Sequence, residues 1–271
     1  MEFDVVIVGA GPAGLSVARA LEGSGLSVAV VERAPRAALA EPAEDGREIA
    51  LTHHSVELLQ RFAVWERIDP AQVSPMREAR VLNGGMGLAL RFQPPGKVGA
   101  PLGHLVPNHL IRRALFEAAV ADGTLTVLDG VAVASVETRE DGAAVLLADG
   151  RRLAARLVVA ADTRFSAIRR QQGIGARMLD FGKTMLVCRM AHEQPHGGVA
   201  TEWFGHGITI AALPLPGDAS GAVVTVPAQE AARLQALDAE AFSDEITQRF
   251  GARLGAMRLL GVHDPVLPEL L

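Results

Sequence analysis

The first apolar run of the chain, Val5 to Val8, is short and stops at Gly9-Ala10-Gly11-Pro12-Ala13-Gly14. A helix-length stretch then leads to Val28 and Val30, and Glu32 closes the pattern. A brief apolar run bounded by glycine reads as a buried strand. The opening therefore predicts a strand, a tight turn, a helix and a second strand with an acid at its end. Ala18 and Leu21 continue an apolar face along the helix between the two strands. Further on, apolar residues at helical spacing predict helices over Ser55–Phe62 and Asn108–Ala121, the second with Leu110, Ile111, Leu115 and Ala118 on one face.

Strands are expected at Leu125–Leu128, Val131–Thr138 and Ala143–Leu147, with Asp141-Gly142 as the hairpin turn between the last two. A buried strand at Leu157–Ala161 runs into Asp162-Thr163-Arg164-Phe165-Ser166 and a short basic helix through Arg170. From Lys183 the pattern changes to strands and turns: Thr184–Met190, Thr209–Leu213 and Ala222–Val226, with Pro214-Leu215-Pro216-Gly217-Asp218 as a hairpin loop. The region Ala79–Phe92 is expected to add strands to the same antiparallel sheet. The alanine-rich, acidic stretch Ala37–Asp45 reads as a mobile loop. The fold class is α/β, laid out as two interleaved domains.

Composition narrows the picture. With 271 residues, 49% of them hydrophobic, the chain can bury a substantial core. A net charge of −5 argues against a nucleic-acid partner, and the pairs Arg112-Arg113, Arg151-Arg152 and Arg169-Arg170 read as solvated faces. Cys188 is the single cysteine and lies in an apolar run, so a packing role in a reducing compartment is expected. The acidic Met1-Glu2-Phe3-Asp4 start and the break at Gly9 do not read as an export signal, and a cytoplasmic location follows as the expectation.

The glycine turn carries the first chemistry. Gly9 permits a tight turn, Gly11 lets backbone approach a pyrophosphate, and Gly14 lets the helix close on the strand, with Pro12 and Ala13 completing the loop. The anion would rest on the free N–H groups of the helix N-terminus. Glu32 is placed to accept hydrogen bonds from a ribose hydroxyl, which makes the whole a dinucleotide site. The junction at Asp162 is either a second contact with that cofactor or a routine connection capped by Ser166. None of the eight histidines has metal-ligand spacing, because Pro195 between His192 and His196 breaks the helix an i, i+4 pair would need. His53 and His54 cannot both face one way on a helix, so each is either a cofactor contact or a cap or surface residue. Trp203 and Phe204 line an apolar pocket or pack in the core.

Three segments together resemble the class A flavoprotein monooxygenases: Gly9-Ala10-Gly11-Pro12-Ala13-Gly14 with Glu32-Arg33, the run Asp45-Gly46-Arg47-Glu48-Ile49-Ala50-Leu51-Thr52, and Ala161-Asp162-Thr163-Arg164-Phe165-Ser166. Within that class the wording of Asp45–Ser55, Arg77–Gly84 and Asp180–Thr184 is most similar to the ubiquinone-biosynthesis hydroxylases, especially the UbiM type, the 5-demethoxyubiquinol hydroxylases. The resemblance implies a Rossmann-like FAD-binding domain (1–75 and 104–175) interleaved with an antiparallel-sheet substrate domain (76–103 and 176–271). It implies that Gly9, Gly11, Pro12, Ala13 and Gly14 hold the FAD pyrophosphate and that Glu32 and Arg33 hold the adenosine ribose region. Arg47 would reach the flavin or its phosphates, Asn108 would contact the cofactor or cap its helix, and Asp162 begins what the class writes as Asp-Gly, here Asp162-Thr163.

The implied reaction is hydroxylation of an aromatic or quinol ring with O₂, NAD(P)H being the expected reductant. The cofactor carries that chemistry, so no catalytic side chain and no metal is assigned. The implied partners are the small-molecule substrate and O₂, with peripheral contact at the inner membrane or in a biosynthetic complex as a further expectation. Relatives continue through a Gly-Asp motif that this sequence does not reach, and its ending, Gly261 to Leu271, departs from theirs; the resemblance is thus to a C-terminally truncated member. Two other readings stay open: a different FAD- or NAD-dependent oxidoreductase such as a prenyl-lipid reductase, and an inactive dinucleotide-binding homologue.

Overall fold

The computed structural model describes residues 1–85, 89–94 and 100–260, so the ending from Gly261 lies outside the described residues. The chain opens with β1 (Glu2–Val8), α1 (Pro12–Ala20), β2 (Val28–Val31), α2 (Arg36–Ala40), β3 (Glu48–Leu51) and α3 (His53–Arg61). Next come β4 (Ser74–Met76), β5 (Glu78–Asn83), β6 (Ala89–Phe92), β7 (Gly103–Pro107), α4 (Asn108–Val120), β8 (Thr126–Leu128), β9 (Val133–Arg139), β10 (Gly142–Leu147) and β11 (Arg152–Ala160). The last stretch holds α5 (Ala167–Gln171), β12 (Lys183–His192), β13 (Val199–Phe204), β14 (Thr209–Pro214), β15 (Ala219–Pro227), α6 (Ala228–Gln235), α7 (Ala239–Arg249) and β16 (Met257–Leu260).

Two compact units share the chain. Unit 1 takes Met1–Ala43, Leu58–Ile68 and His109–Met178, and unit 2 takes Glu44–Glu57, Asp69–Asn108 and the described residues from Leu179 onward. Against the bounds that the resemblance implies, residues 44–57, 69–75 and 104–108 fall in unit 2 and residues 176–178 in unit 1.

Unit 1 is built on a sheet of order β8-β2-β1-β11-β10-β9. β1 pairs in parallel with both β2 and β11, and β10 pairs antiparallel with β11 and β9. The expected buried strand at Leu157–Ala161 falls in the second half of the longer β11, which ends at Ala160 and is not buried there, Leu157 being 56% exposed. Val6, Val8, Ala29 and Val31 join Val145, Leu147, Leu153 and Ile168 in one buried cluster. Arg19, on α1, donates from Nε to Phe62 O at 3.1 Å and from Nη1 to Ala118 O at 3.0 Å. It thus serves carbonyls left over where two further helical segments end.

The stretch Ala37–Asp45 is not a mobile loop throughout. Arg36–Ala40 is helical, with Leu39 buried and the Arg36 N–H held by Asp129 Oδ2 at 2.8 Å. Alanine is the best helix former, and one buried leucine with one anchored N–H is enough for a single turn.

Unit 2 holds a sheet of order β16-β12-β15-β14-β13-β5-β6 and a small one of order β3-β7-β4. In the large sheet β13 pairs in parallel with β5 and all other described pairings are antiparallel. Along β12 every second residue is buried, and Leu186, Cys188 and Met190 meet Ile210, Ala212, Val224 and Val226 in one core. α6 and α7, which the sequence pattern passed over, cover this core with Leu234, Phe242, Ile246 and Phe250. For α7 a start signal was present in Asp238, whose Oδ1 accepts the Ala241 N–H at 2.8 Å as an N-cap.

Trp203 packs against the same core and donates from Nε1 to Gly84 O at 3.0 Å, while Phe204 is exposed. Cys188 is buried and unpaired, and burial pushes its thiol up to about 12. The thiolate is the reactive form. Iodoacetamide at about pH 8 is therefore expected to leave Cys188 unmodified in the folded chain and to label it in urea; labelling of the folded chain at the rate of a free thiol would contradict its burial.

α6 and α7 are pinned by charges. Glu230 Oε1 accepts from Arg233 Nη2 at 2.9 Å and from Arg249, and Glu245 pairs with the same two arginines. Arg233, then Arg249, hold the Glu230 carboxyl at about 2 against an ordinary 4.5, in spite of partial burial. A carboxyl lowered in the folded state stabilises it above its unfolded value and loses that contribution as pH falls through the folded value. Glu230→Gln is thus expected to have a lower urea midpoint than the parent at neutral pH. The gap should close between about pH 4.5 and about pH 2; a gap unchanged across that window would remove Glu230 as its source.

Candidate cofactor site

In unit 1 the three glycines of the opening turn do three different things. Gly9 has φ +105, and a Cβ there would overlap the backbone carbonyl of Ala161. At Gly14 a Cβ would overlap the Gly9 carbonyl oxygen, so the absent side chain is what lets α1 sit on the turn. A Cβ at Gly11 would meet no atom within 4 Å. Gly11 is also the N-cap of α1, offers no side chain to its first N–H groups, and is followed by Pro12 in the first turn. Ala13 and Gly14 supply backbone N–H groups at this end, where the helix dipole favours an anion.

Glu32 follows β2 and extends its ladder, with its N–H donating to Leu128 O at 2.9 Å. Its carboxylate folds back over the turn, Oε2 accepting the Ala10 N–H at 2.8 Å and Oε1 the Ala34 N–H at 2.8 Å. Glu32, the exposed Arg33, Gly9 and Asp162 line one cleft of about 300 Å³ together with Thr163 and Phe165.

Asp162 sits where β11 gives way to α5. Its Oδ2 accepts the N–H groups of Ala167 at 2.9 Å and Ile168 at 3.4 Å, while Oδ1 is buried without a partner. Burial alone would raise this carboxyl; hydrogen bonds from Ser166 and the α5 backbone outweigh it and hold it below the ordinary carboxylate value. Ser166 caps α5 by accepting the Arg169 N–H at 2.9 Å, so the junction has both a cap and a spare buried acceptor. Thr163 bonds the Phe165 N–H through Oγ1 at 3.1 Å, which closes a local turn where the resemblance implies a glycine.

Arg47 and Asn108 come together in unit 2. Asp45 is their common partner: Arg47 Nη2 lies 2.6 Å from Asp45 Oδ2, and Asn108 Nδ2 donates to the same oxygen at 2.7 Å. The Asn108 N–H donates to Arg47 O at 2.9 Å, and Asn108 is buried. Burial tends to raise the Asp45 carboxyl, but Arg47 and Asn108 lower it further. Beside them Glu48, with a side chain 1% exposed, accepts from Arg189 Nη2 at 2.8 Å, and Arg189 Nη1 reaches Glu44 at 2.7 Å. The acidic residues 44–48 are therefore anchored to β12.

The site residues read from sequence fall into two groups, Gly9 to Gly14 with Glu32, Arg33 and Asp162 in unit 1, and Arg47 with Asn108 in unit 2. Sequence reasoning missed Asp45, Glu48 and Arg189 as a supporting set. The available signal was an arginine at the centre of an apolar strand, which at that position calls for a buried acid. His53 shares Pro101 O at 3.0 Å, and exposed His54 lies 3.9 Å from Glu57, which suits surface positions at the start of a helix. His192 is tied to Gln194 O and Ser220 Oγ, His196 to Leu215 O and the Gly198 N–H, and no metal-binding group occurs among the described residues.

Comparison with known proteins bears on the fold and the family. The sequence matches the model of the FAD binding domain over residues 2–253. It is 43% identical to the ubiquinone hydroxylase UbiM of Neisseria meningitidis over 96% of this chain and 57% of that protein. With the ubiquinone hydroxylase UbiL of Rhodospirillum rubrum it shares 36% identity over 95% of this chain and 60% of that one. The chain thus spans about three-fifths of the length of these curated relatives. The fold is that of PqsL from Pseudomonas aeruginosa, solved in complex with 2-aminobenzoylacetate, with a TM-score of 0.76 and 24% identity over 97% of this chain and 74% of that one. The glycine turn, the acid that closes β2 and a match over nearly the whole chain lead to one assignment: the chain belongs to the FAD binding domain family.

Proposed function

We propose that this chain is the FAD-binding and substrate-sheet portion of an aromatic-ring hydroxylase acting on a quinol-type intermediate of ubiquinone biosynthesis. The observation that carries this reading is the identity to ubiquinone hydroxylases along almost the entire chain. The residues present fit the cofactor: Gly11 faces open space, the first turn of α1 has no side-chain cap, and Asp162 keeps a buried acceptor without a partner.

In this proposal the turn Gly9, Gly11, Pro12, Ala13 and Gly14 receives the pyrophosphate, with the free N–H groups of Ala13 and Gly14 as donors, and Glu32 and Arg33 hold the ribose region. Asp162, Arg47 and Asn108 take the remaining polar groups of the cofactor. When bound, FAD supplies the redox chemistry that activates O₂ for transfer of one oxygen atom to an electron-rich ring, with NAD(P)H as reductant. The protein's own part is to bind, orient and exclude water. The glycine turn of unit 1 takes the adenosine-diphosphate end of the cofactor, and the seven-stranded sheet of unit 2 is the substrate-binding body. A polyprenylated quinol resides in the bilayer, so peripheral association with the inner membrane or a biosynthetic assembly belongs to the same proposal. Among the described residues no helix is long and apolar enough to cross a membrane.

The test is the visible spectrum of the purified chain after incubation with FAD and desalting, followed by oxygen uptake with NADH or NADPH and a short-chain demethoxyquinol. Retained flavin and quinol-dependent uptake are expected. A colourless protein would overturn cofactor binding by this chain, and bound flavin with no quinol-dependent uptake would overturn the hydroxylase reading alone.

A further inference from the structure

A second cleft, of about 630 Å³, lies wholly within unit 2 at the β5–β6 edge of the large sheet. Arg80 and Arg91 face each other across the antiparallel β5–β6 pair, and Arg253, Thr201 and His196, the last bonded to Leu215 O and the Gly198 N–H, also line it. Like charges directly opposite on neighbouring strands repel, so the arrangement needs an anion between them. Glu78 supplies one: its Oε1 accepts from Arg80 and from Arg91 Nε at 2.7 Å, its Oε2 from Arg91 Nη2 at 2.7 Å and Gln93 Nε2 at 3.0 Å. The Arg91 and Arg80 hydrogen bonds keep the Glu78 carboxyl well below the usual range, so it stays charged.

One carboxylate does not balance three guanidiniums. Arg80 meets Glu78 through Nε, which leaves both of its terminal nitrogens as donors. Arg253 is held in place from the apolar side, its guanidinium carbon 5.6 Å from the centroids of both Trp203 and Phe250 and one terminal nitrogen donating to Phe250 O. The nearby carboxylate of Glu193 is turned to the Ala256 N–H at 3.1 Å. Oriented guanidinium forks match the paired oxygens of a phosphoryl group, and Arg is the side chain suited to that recognition. The lining also includes the apolar side chains of Leu82, Ala212 and Leu254. We propose that this cleft binds a phosphoryl group carried on a less polar body, with Arg80, Arg91 and Arg253 as its donors. The proposal does not rest on the hydroxylase reading, because no residue of the FAD site contributes to it.

The test is calorimetric titration of the chain with inorganic pyrophosphate at fixed ionic strength, compared with the double variant Arg80→Gln/Arg253→Gln. Binding to the glycine turn of unit 1 is common to both proteins, so the difference between the isotherms reports this cleft. The parent is expected to show an additional binding event, weakened about tenfold for each guanidinium removed. Glu78→Gln, which takes away the competing negative charge, is expected to tighten it, an effect that a purely structural ion pair would not produce. Isotherms that coincide for the parent and a folded double variant, or an absence of heat with the parent, would overturn the proposal. Co-sedimentation with phosphatidylcholine vesicles containing phosphatidic acid, dependent on Arg80 and Arg253, would identify a lipid headgroup as the source. Pyrophosphate binding without vesicle binding would identify a soluble phosphate ester.

Discussion

Gly14→Ala is expected to destabilise the chain by about 3 kcal/mol, lowering Tm by roughly 10 °C, and to abolish FAD retention. The added methyl group would overlap the backbone carbonyl of Gly9, which cannot rotate away as the tip of a side chain could. Either α1 lifts from β1 or the turn distorts, and both changes disturb the buried seam of Ile7 and Leu15. Gly11→Ala should behave in the opposite way. Its backbone, at φ −75 and ψ 178, suits any residue and its Cβ meets no atom, so stability should stay within about 1 kcal/mol of the parent. The methyl group would instead occupy the space in front of the helix N-terminus, and flavin retained after desalting should fall sharply. Thermal melts and flavin absorbance on the two variants separate the two roles. Equal melting temperatures would show that the glycines are not distinguished in the way the geometry requires.

Arg189→Met is expected to cost about 3 kcal/mol, the low end for removing one partner of a buried ion pair, because the Arg189 side chain is itself 31% exposed. Glu48 sits behind β12 with a side chain 1% exposed, and Arg189 gives it two donors while also holding Glu44. Losing the guanidinium leaves a desolvated carboxylate without these donors. Glu48→Gln/Arg189→Met should recover much of the loss, because a neutral amide is far cheaper to bury than a charge. Urea unfolding of the single and double variants measures this. A double variant no more stable than Arg189→Met would mean that Arg189 acts through packing of its stem and not through Glu48.

The parts of the molecule legible in sequence are those whose causes are local. β1, the glycine turn, α1, β2 and Glu32 form one continuous stretch, and each residue's job follows from its immediate neighbours. The same holds for Ser166 as a cap and for the β9–β10 hairpin, although its turn is Glu140-Asp141, one residue before the expected Asp141-Gly142, with Gly142 already paired to Arg139. The Asp45 cluster was only half legible: Arg47 and Asn108 were singled out, yet the acid that joins them lies 63 residues from Asn108. Glu48 and Arg189 are 141 residues apart, and no periodicity links them. α6 and α7 were passed over because their polar faces dilute the apolar ones; it is packing on β12, β14 and β15 that fixes them. Arg80 and Arg91 look like ordinary surface charges until the β5–β6 register sets them opposite one another.

The back-folded carboxylate of Glu32 has a consequence for recognition. With Oε1 on the Ala34 N–H and Oε2 on the Ala10 N–H, the side chain is fixed in one rotamer before any ligand arrives. Freezing a glutamate costs up to about 2 kcal/mol of rotamer freedom, and here folding has already met that cost. In the proposed ribose-binding role each oxygen still has a lone pair to offer, so an incoming diol would meet a preorganised acceptor and lose less entropy on docking.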